Sequence, residues 1–292
     1  MRVLVTGASG FSGSFVARVL ARGGRDVVAV HRSETSFLAQ LSGEPRVHKL
    51  RGDLVDAATL PGPFDAVVHA AATSPAPGID VAQIVRDNVA GTQALIEAAE
   101  RWAAQVFVFF SSLSLYGEVA AGLVDERTPI VNPDAYGATK HLGELLLAAR
   151  AERLLCLAIR LPGVLGPGAH RNWLSGVAAR LRTGETVRAF DLDAPFNNAA
   201  HVADLAVLVS RVLERPGTGF DAIVAGARGY ITLREVITRL AKGLGVEAHI
   251  EQVAATKPSF TLSSERAISR WGYDPMEIGA MIDRYAEDVR TG

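Results

Sequence analysis

A chain of 292 residues, 49% hydrophobic and 21% charged, is ordinary globular material, long enough for one large domain or a domain with a smaller lobe. Its formal net charge is −1 and it has no lysine- and arginine-rich block, which excludes a general attraction to nucleic acid and points to a small-molecule substrate. The 28 glycines and 13 prolines are scattered, with no tract that reads as disorder.

The opening apolar run, ended by Gly7, is too short for a signal peptide. No segment approaches the roughly 20 apolar residues of a membrane span, so no membrane partner and a cytoplasmic location are expected. The single cysteine, Cys156, can form no internal disulfide, which fits a reducing compartment. In the apolar run 154–159 it reads as a buried core thiol.

In chain order, Val3 to Thr6 reads as a strand and Gly13 to Arg22 as a helix, with Phe15, Val16, Val19 and Leu20 on its apolar face. Strands are predicted at Val27–Val30, Val47–Leu50, Ala66–Ala70, Val106–Ser111 and Leu155–Arg160, and helices over Val81–Arg101 and Tyr136–Arg150. Phe107-Val108-Phe109-Phe110 shows no polar alternation, as expected of a strand covered on both faces. The expectation is an α/β fold, a Rossmann-like doubly wound parallel sheet with a smaller C-terminal substrate-binding lobe. Residues 1–165 are assigned to the dinucleotide-binding domain and 166–292 mainly to the lobe. Segments near 201–226 are expected to return to the sheet.

The segment Thr6-Gly7-Ala8-Ser9-Gly10-Phe11-Ser12-Gly13 links the first strand to the first helix. Glycines there permit a tight turn, a close approach of backbone N–H groups to a pyrophosphate and close helix–strand packing. Gly7, Ser9, Gly10, Phe11, Ser12 and Gly13 are therefore expected cofactor contacts. The second strand ends in His31-Arg32-Ser33 with no carboxylate for the ribose hydroxyls of NAD, while Arg32 offers a guanidinium that matches a phosphate. NADP(H) is the preferred expectation, with NAD(H) as the other possibility. Asp53 and Leu54 are expected beside the adenine, and the small residues Ala70, Ala71 and Ala72 leave room for the cofactor backbone. His69 is given no catalytic role, and the seven histidines lack metal-ligand spacing, so no metal is expected.

Tyr136-Gly137-Ala138-Thr139-Lys140 puts a phenol and an amine four residues apart on one helix face, after a helix start at Asn132-Pro133-Asp134. A lysine ammonium about 4 Å away favours phenolate by up to about 4 kcal/mol at an effective dielectric of about 20, before desolvation is counted. Ser112, at the end of the fifth strand, can hydrogen-bond an oxygen whose charge changes during reaction.

These residues resemble the extended short-chain dehydrogenase/reductase family, also called the NAD(P)-dependent epimerase/dehydratase family. The resemblance includes the three-and-three glycine spacing, Asn88-Val89-Ala90-Gly91-Thr92, Ser112 four residues before Tyr116-Gly117 and Tyr136 to Lys140. It continues through Arg160 to Pro167, His201-Val202-Ala203-Asp204-Leu205 and Trp271-Gly272-Tyr273-Asp274-Pro275. It implies Tyr136 as acid/base, Lys140 on the nicotinamide ribose and tuning Tyr136, and Ser112 on the reacting oxygen. It adds Asn88, Pro162 and Gly163 to the cofactor contacts, and a homodimer formed through the helices near 90–101 and 136–150. Ser114, Asn172 and Asn197 are the expected substrate contacts.

Three departures narrow the activity. Similar dehydratases carry an Asp-Glu pair where this chain has Leu113 and Ser114. Many nucleotide-sugar enzymes have asparagine in place of Gly163 and arginine in place of Asn197, and Arg171, Arg180 or Arg188 would have to compensate. The leading expectation is an NADP(H)-linked dehydrogenase or reductase of a secondary alcohol or ketone. The alternatives are a nucleotide-sugar 4-epimerase and a non-enzymatic NADP-sensing protein.

Overall fold

The structure is a computed structural model describing residues 1–120 and 122–291. Seven strands form its main sheet: β1 (Arg2–Thr6), β2 (Asp26–His31), β3 (Val47–Arg51), β4 (Ala66–His69), β5 (Val106–Ser112), β6 (Leu155–Leu161) and β7 (Gly219–Val224). Their spatial order is β7-β6-β5-β4-β1-β2-β3. The sheet is parallel and Rossmann-like. Val3 lies opposite Val27 on β2 and Ala66 on β4. The direction of winding reverses between β1 and β4, and in open sheets of this kind ligands bind beyond the strand C-termini at such a reversal.

The apolar runs explain the strands. The first six residues of β5 are buried, as are those of β6, which satisfies a sheet covered by helices on both faces. Leu4, Val67, Phe107, Phe109, Leu95, Ile96 and Leu147 meet in one core with Cys156. The first helix, α1 (Phe11–Arg22), buries Val16 and Leu20 of the expected apolar face together with Ala17, while Phe15 and Val19 are only half-buried.

The predicted helix over 81–101 is instead three pieces. An α-helical Val81–Val85 leads into a π-helical turn, Arg86–Ala90, and then α2 (Gly91–Arg101). The widened turn carries the buried Asn88, whose amide takes three hydrogen bonds described below. Single π turns of this kind occur often at functional sites.

Two compact units divide the chain. The first comprises Met1–Glu118, Pro129–Arg160 and Ala206–Ile223, and the second Val119–Thr128, Leu161–Leu205 and Val224–Gly292. The second unit has its own core, in which Leu174, Val177 and Leu181 pack with Val236, Leu240, Met281 and Tyr285. Its helices Trp173–Thr183 and Leu233–Leu244 start at capping boxes on Asn172 and Thr232 and stop at left-handed Gly184 and Gly245. The short strand Leu123–Val124 pairs in parallel with Thr261–Leu262. Among the described residues no helix is long and apolar enough to cross a membrane.

Burial, with Glu100 as a second influence, pushes the Cys156 thiol up to about 12. The native protein is expected to resist iodoacetamide at pH 8 and to be alkylated once unfolded, as read by intact mass. Rapid labelling of the native chain would place Cys156 outside the core.

Candidate active site

The glycine loop is built from backbone packed on backbone. Gly7 has φ +75°, and a Cβ on it would lie 2.7 Å from the amide nitrogen of Ala71, in the loop leaving β4. A Cβ on Gly13 would overlap the Gly7 carbonyl, so α1 starts pressed against the turn. Gly10 N donates to Gly7 O at 2.9 Å. Gly10 caps α1 without a side-chain hydrogen bond, and the first turn holds no acidic residue. That leaves the positive end of the helix available to an anion. Ser9 O accepts from Thr35 Oγ1 at 2.8 Å, Phe11 packs on Phe37 with ring centroids 5.9 Å apart, and Ser12 lies in the first turn.

At the end of β2, His31 is buried and its Nδ1 has no hydrogen-bond partner in the protein. Arg32 and Ser33 beyond it are exposed. Arg32 reaches Asp87 Oδ2 at 3.0 Å and Thr73 Oγ1 at 3.2 Å. Asp53 caps the helix Leu54–Ala58, accepting from the amides of Val55 and Asp56, and Leu54 packs against Gly91. Asn88 accepts from Thr73 N at 2.7 Å and donates to Thr73 O and Thr139 Oγ1, each at 3.0 Å. A cradle with no room for a Cβ, a helix N-terminus without a side-chain cap and an imidazole nitrogen that makes no hydrogen bond, with Glu34 Oε1 3.8 Å away, together fit a dinucleotide.

The helix α3 (Ala135–Ala148) carries Tyr136 and Lys140. Its cap is Asp134, which accepts from Gly137 N at 2.7 Å. Gly137 has no room for a side chain, because a Cβ would overlap the Ser114 carbonyl. Ser114 in turn donates its amide to Ser112 Oγ and accepts from that hydroxyl at Oγ, both at 3.1 Å. One chain of contacts therefore links the residue beside Tyr136 to Ser112.

Lys140 is 2% exposed, and its Nζ donates to Phe110 O at 2.7 Å and lies 5.7 Å from the Tyr136 ring centroid. Burial brings Lys140 down to about 7, with Glu144 opposing. Burial raises the Tyr136 phenol above its ordinary value, a hydrogen bond with Ser74 opposes this, and Asp134 adds to it. Lys140, expected to tune Tyr136 downward, is not among the groups that shift the phenol; the opposing influence is Ser74. His69 is held between Thr6 Oγ1 and Thr92 Oγ1, each at 2.8 Å, and burial pushes it down to about 3, with Lys140 contributing. It is a neutral, satisfied core histidine.

Beneath these groups lies a buried ionic network. Glu144 accepts from Ser111 Oγ at 2.6 Å and from Arg160 Nη2 at 2.7 Å, and Arg160 Nη1 donates to the Tyr116 hydroxyl at 2.8 Å. It joins α3, β6 and both flanks of Ser112.

Residues 3–231 match the NAD dependent epimerase/dehydratase family. The chain belongs to that family. Its relatives differ in chemistry. A dTDP-glucose 4,6-dehydratase from Streptomyces griseus is 38% identical over 159 residues, which is 50% of this chain and 48% of that protein. The chain thus spans about half the length of this relative. A D-erythronate dehydrogenase from Cupriavidus necator is 28% identical over 325 residues, covering 99% of each chain. The solved structure of MoeE5 in complex with UDP-glucuronic acid and NAD has a TM-score of 0.83 at 26% identity, covering 100% of this chain and 99% of that one. The protein is an enzyme of the NAD dependent epimerase/dehydratase family.

The second unit holds the remaining candidates. Pro162 and Gly163 are half-buried, and the strand Gly163–Leu165 pairs in parallel with Ala199–His201. A Cβ on Gly163 would approach Asn172 Cβ to 3.3 Å, so the neighbour opposes a side chain at this family position. Asn172 accepts from Ser175 N at 2.8 Å and donates to Val164 O at 3.0 Å. Asn197 is 4% exposed, with its amide bonded to Leu262 N and O and to Ala227 O. Of the arginines that would have to compensate, Arg188 is paired with Glu251 at 2.9 Å.

The sequence reading did not single out Thr73, Ser74, Asp87 or Glu144. Glu144 carried a signal, since it lies one helical turn beyond Lys140 on the same face of a leucine-rich helix. Glu144→Ala, which removes the carboxylate that balances the buried Arg160, is expected to lower stability by about 3–5 kcal/mol. Denaturant titration measures this, and a loss below about 1 kcal/mol would mean the network contributes little.

Proposed function

We propose that the protein transfers hydride between NADP(H) and a secondary alcohol or ketone of carbohydrate-like character, as a dehydrogenase or reductase. The observation that carries this reading is the contact chain from Gly137 through Ser114 to Ser112, beside the buried Lys140. The nicotinamide, when bound, supplies or accepts the hydride. Gly7, Gly10 and the start of α1 would hold the pyrophosphate, with Ala70, Ala71, Ala72 and Asn88 along the cofactor backbone. His31, Arg32 and Ser33 would face the adenosine ribose, Asp53 and Leu54 the adenine, and Pro162 and Gly163 the nicotinamide.

In ketone reduction, Ser112 Oγ hydrogen-bonds the carbonyl oxygen as negative charge develops there. Tyr136 delivers the proton to that oxygen. Its raised value keeps the phenol protonated at neutral pH, the form an acid needs. Lys140 binds the nicotinamide ribose and, once charged, stabilises the phenolate left behind. In the reverse direction the phenol must first lose its proton, so alcohol oxidation rises with pH and ketone reduction falls above the Tyr136 value.

Leu113 and Ser114 offer no acid and base for dehydration. Gly163 and Asn197 lack the polar groups with which many nucleotide-sugar enzymes hold a diphosphate, and Asn197 is already committed to backbone. Arg32, with no carboxylate among His31, Arg32 and Ser33 themselves, supports NADP(H). Leu142 and Leu145, 43% and 52% exposed on α3, support the homodimer. A second reading, a nucleotide-sugar 4-epimerase, is favoured by the likeness to MoeE5, whose structure holds UDP-glucuronic acid and NAD.

Tyr136→Phe is expected to abolish turnover while cofactor still binds, measured by steady-state kinetics and cofactor titration. Substantial activity in that variant would overturn the proton transfer. The two readings separate on cofactor retention, because an epimerase returns its hydride within one turnover and a reductase must release oxidised cofactor. Protein purified without added cofactor is expected to yield little dinucleotide on denaturation and to consume NADPH with a ketone substrate. Near-stoichiometric dinucleotide, with epimerisation of a UDP-hexose and no net consumption, would establish the epimerase instead.

A further inference from the structure

Side chains that hydride transfer does not use join the loops leaving β2 and β4. Arg32 Nη1 donates to Asp87 Oδ2 at 3.0 Å and its Nη2 donates to Thr73 Oγ1 at 3.2 Å. Thr73 Oγ1 donates to Asp87 Oδ2 at 2.7 Å, closing a three-membered clasp. Thr73 is fixed from its other side by the Asn88 amide, which holds both its N–H and its carbonyl. The acceptor end of the clasp is therefore anchored in the π-helical turn, and the movable part is the Arg32 side chain, 57% exposed. Burial raises the Asp87 carboxyl, but the hydrogen bond from Thr73 and the Arg32 guanidinium hold it below the usual carboxylate range, so it is charged at neutral pH.

We infer that Asp87 is a specificity-determining residue, which competes with the 2′-phosphate of NADP(H) for the Arg32 guanidinium. The inference rests on the NADP(H) reading above. A guanidinium recognises phosphate through parallel N–H groups, and Nη1 and Nη2 are the groups Asp87 and Thr73 occupy. A phosphate must draw Arg32 away from Asp87 and then sit near a carboxylate of its own sign. NAD(H) has a hydroxyl at that position, so it needs no release of Arg32 and meets no such repulsion. Asp87 thus narrows the gap between the two cofactors. An ion pair this exposed is worth up to about fivefold in an equilibrium constant.

The test is cofactor affinity of the full-length protein without substrate, by calorimetric titration of NADPH and NADH. Asp87→Asn keeps the side-chain volume and an acceptor for Thr73. It is expected to tighten NADPH about three- to fivefold and to leave NADH within about twofold. If that variant does not fold, Thr73→Val removes the hydroxyl that Arg32 and Asp87 share, and it is expected to tighten NADPH in the same direction. In an Arg32→Ala background the effect of Asp87→Asn should vanish. Unchanged or weaker NADPH binding in Asp87→Asn, or a gain that persists without Arg32, overturns the competition while the NADP(H) reading stands. If Arg32→Ala alone leaves NADPH binding unchanged, the NADP(H) reading falls and the competition with it.

Discussion

A buried carboxylate–guanidinium pair, Glu144 with Arg160, fastens helix α3 to β6. Through Ser111 on one side and Tyr116 on the other, the same pair grips the chain on both flanks of Ser112. An ion pair removed from water gains little net stability, because desolvation consumes most of its Coulomb energy. What it supplies here is geometry. The oxygens of Glu144 are shared between a hydroxyl on β5 and a guanidinium on β6, so α3 cannot slide along the sheet without breaking charged hydrogen bonds in a dry interior. Gly137 then allows the start of the helix to meet the Ser114 carbonyl directly. Neither device suffices alone, since the glycine permits the approach and the ion pair fixes its register.

Much of this was legible in the chain. β5 and β6 were readable because a strand buried on both faces leaves an uninterrupted apolar run, and the glycine loop because its spacing coincides with a strand-to-helix junction. Tyr136 and Lys140 were readable because both lie on one helix. Features that depend on distant partners were not. Nothing local tells whether Arg32 is solvated, and its pairing with Asp87 spans 55 residues. Asn88 lies in a segment whose composition is helical throughout, and its widened turn belongs with contacts to Thr73 and Thr139. The segment Val119–Thr128 has no compositional mark that assigns it to the second unit, because the strand it pairs with is more than 130 residues away.

The family's members include dehydratases, a dehydrogenase and epimerases on one scaffold, so the reaction must be read from the groups around Ser112 and Tyr136 and not from the fold. In this chain those groups are spare. Leu113 brings no proton donor, Gly163 is crowded by Asn172, and the amide of Asn197 is turned inward to the backbone of Leu262. On the proposed reading, the substrate-facing chemistry reduces to a proton carrier and a hydroxyl.

The burial of Lys140 reaches beyond catalysis into the pH dependence of folding. The folded chain brings this lysine to about 7, whereas an exposed lysine titrates near 10.5. Between those values the unfolded chain binds more protons, so stability rises with pH across the window and is least favourable below it, where both states carry the charge. The ammonium therefore costs the fold most at neutral to acidic pH. A methionine at position 140 would relieve that burden only by removing the charge the proposed chemistry needs, so this position trades thermal robustness against reactivity.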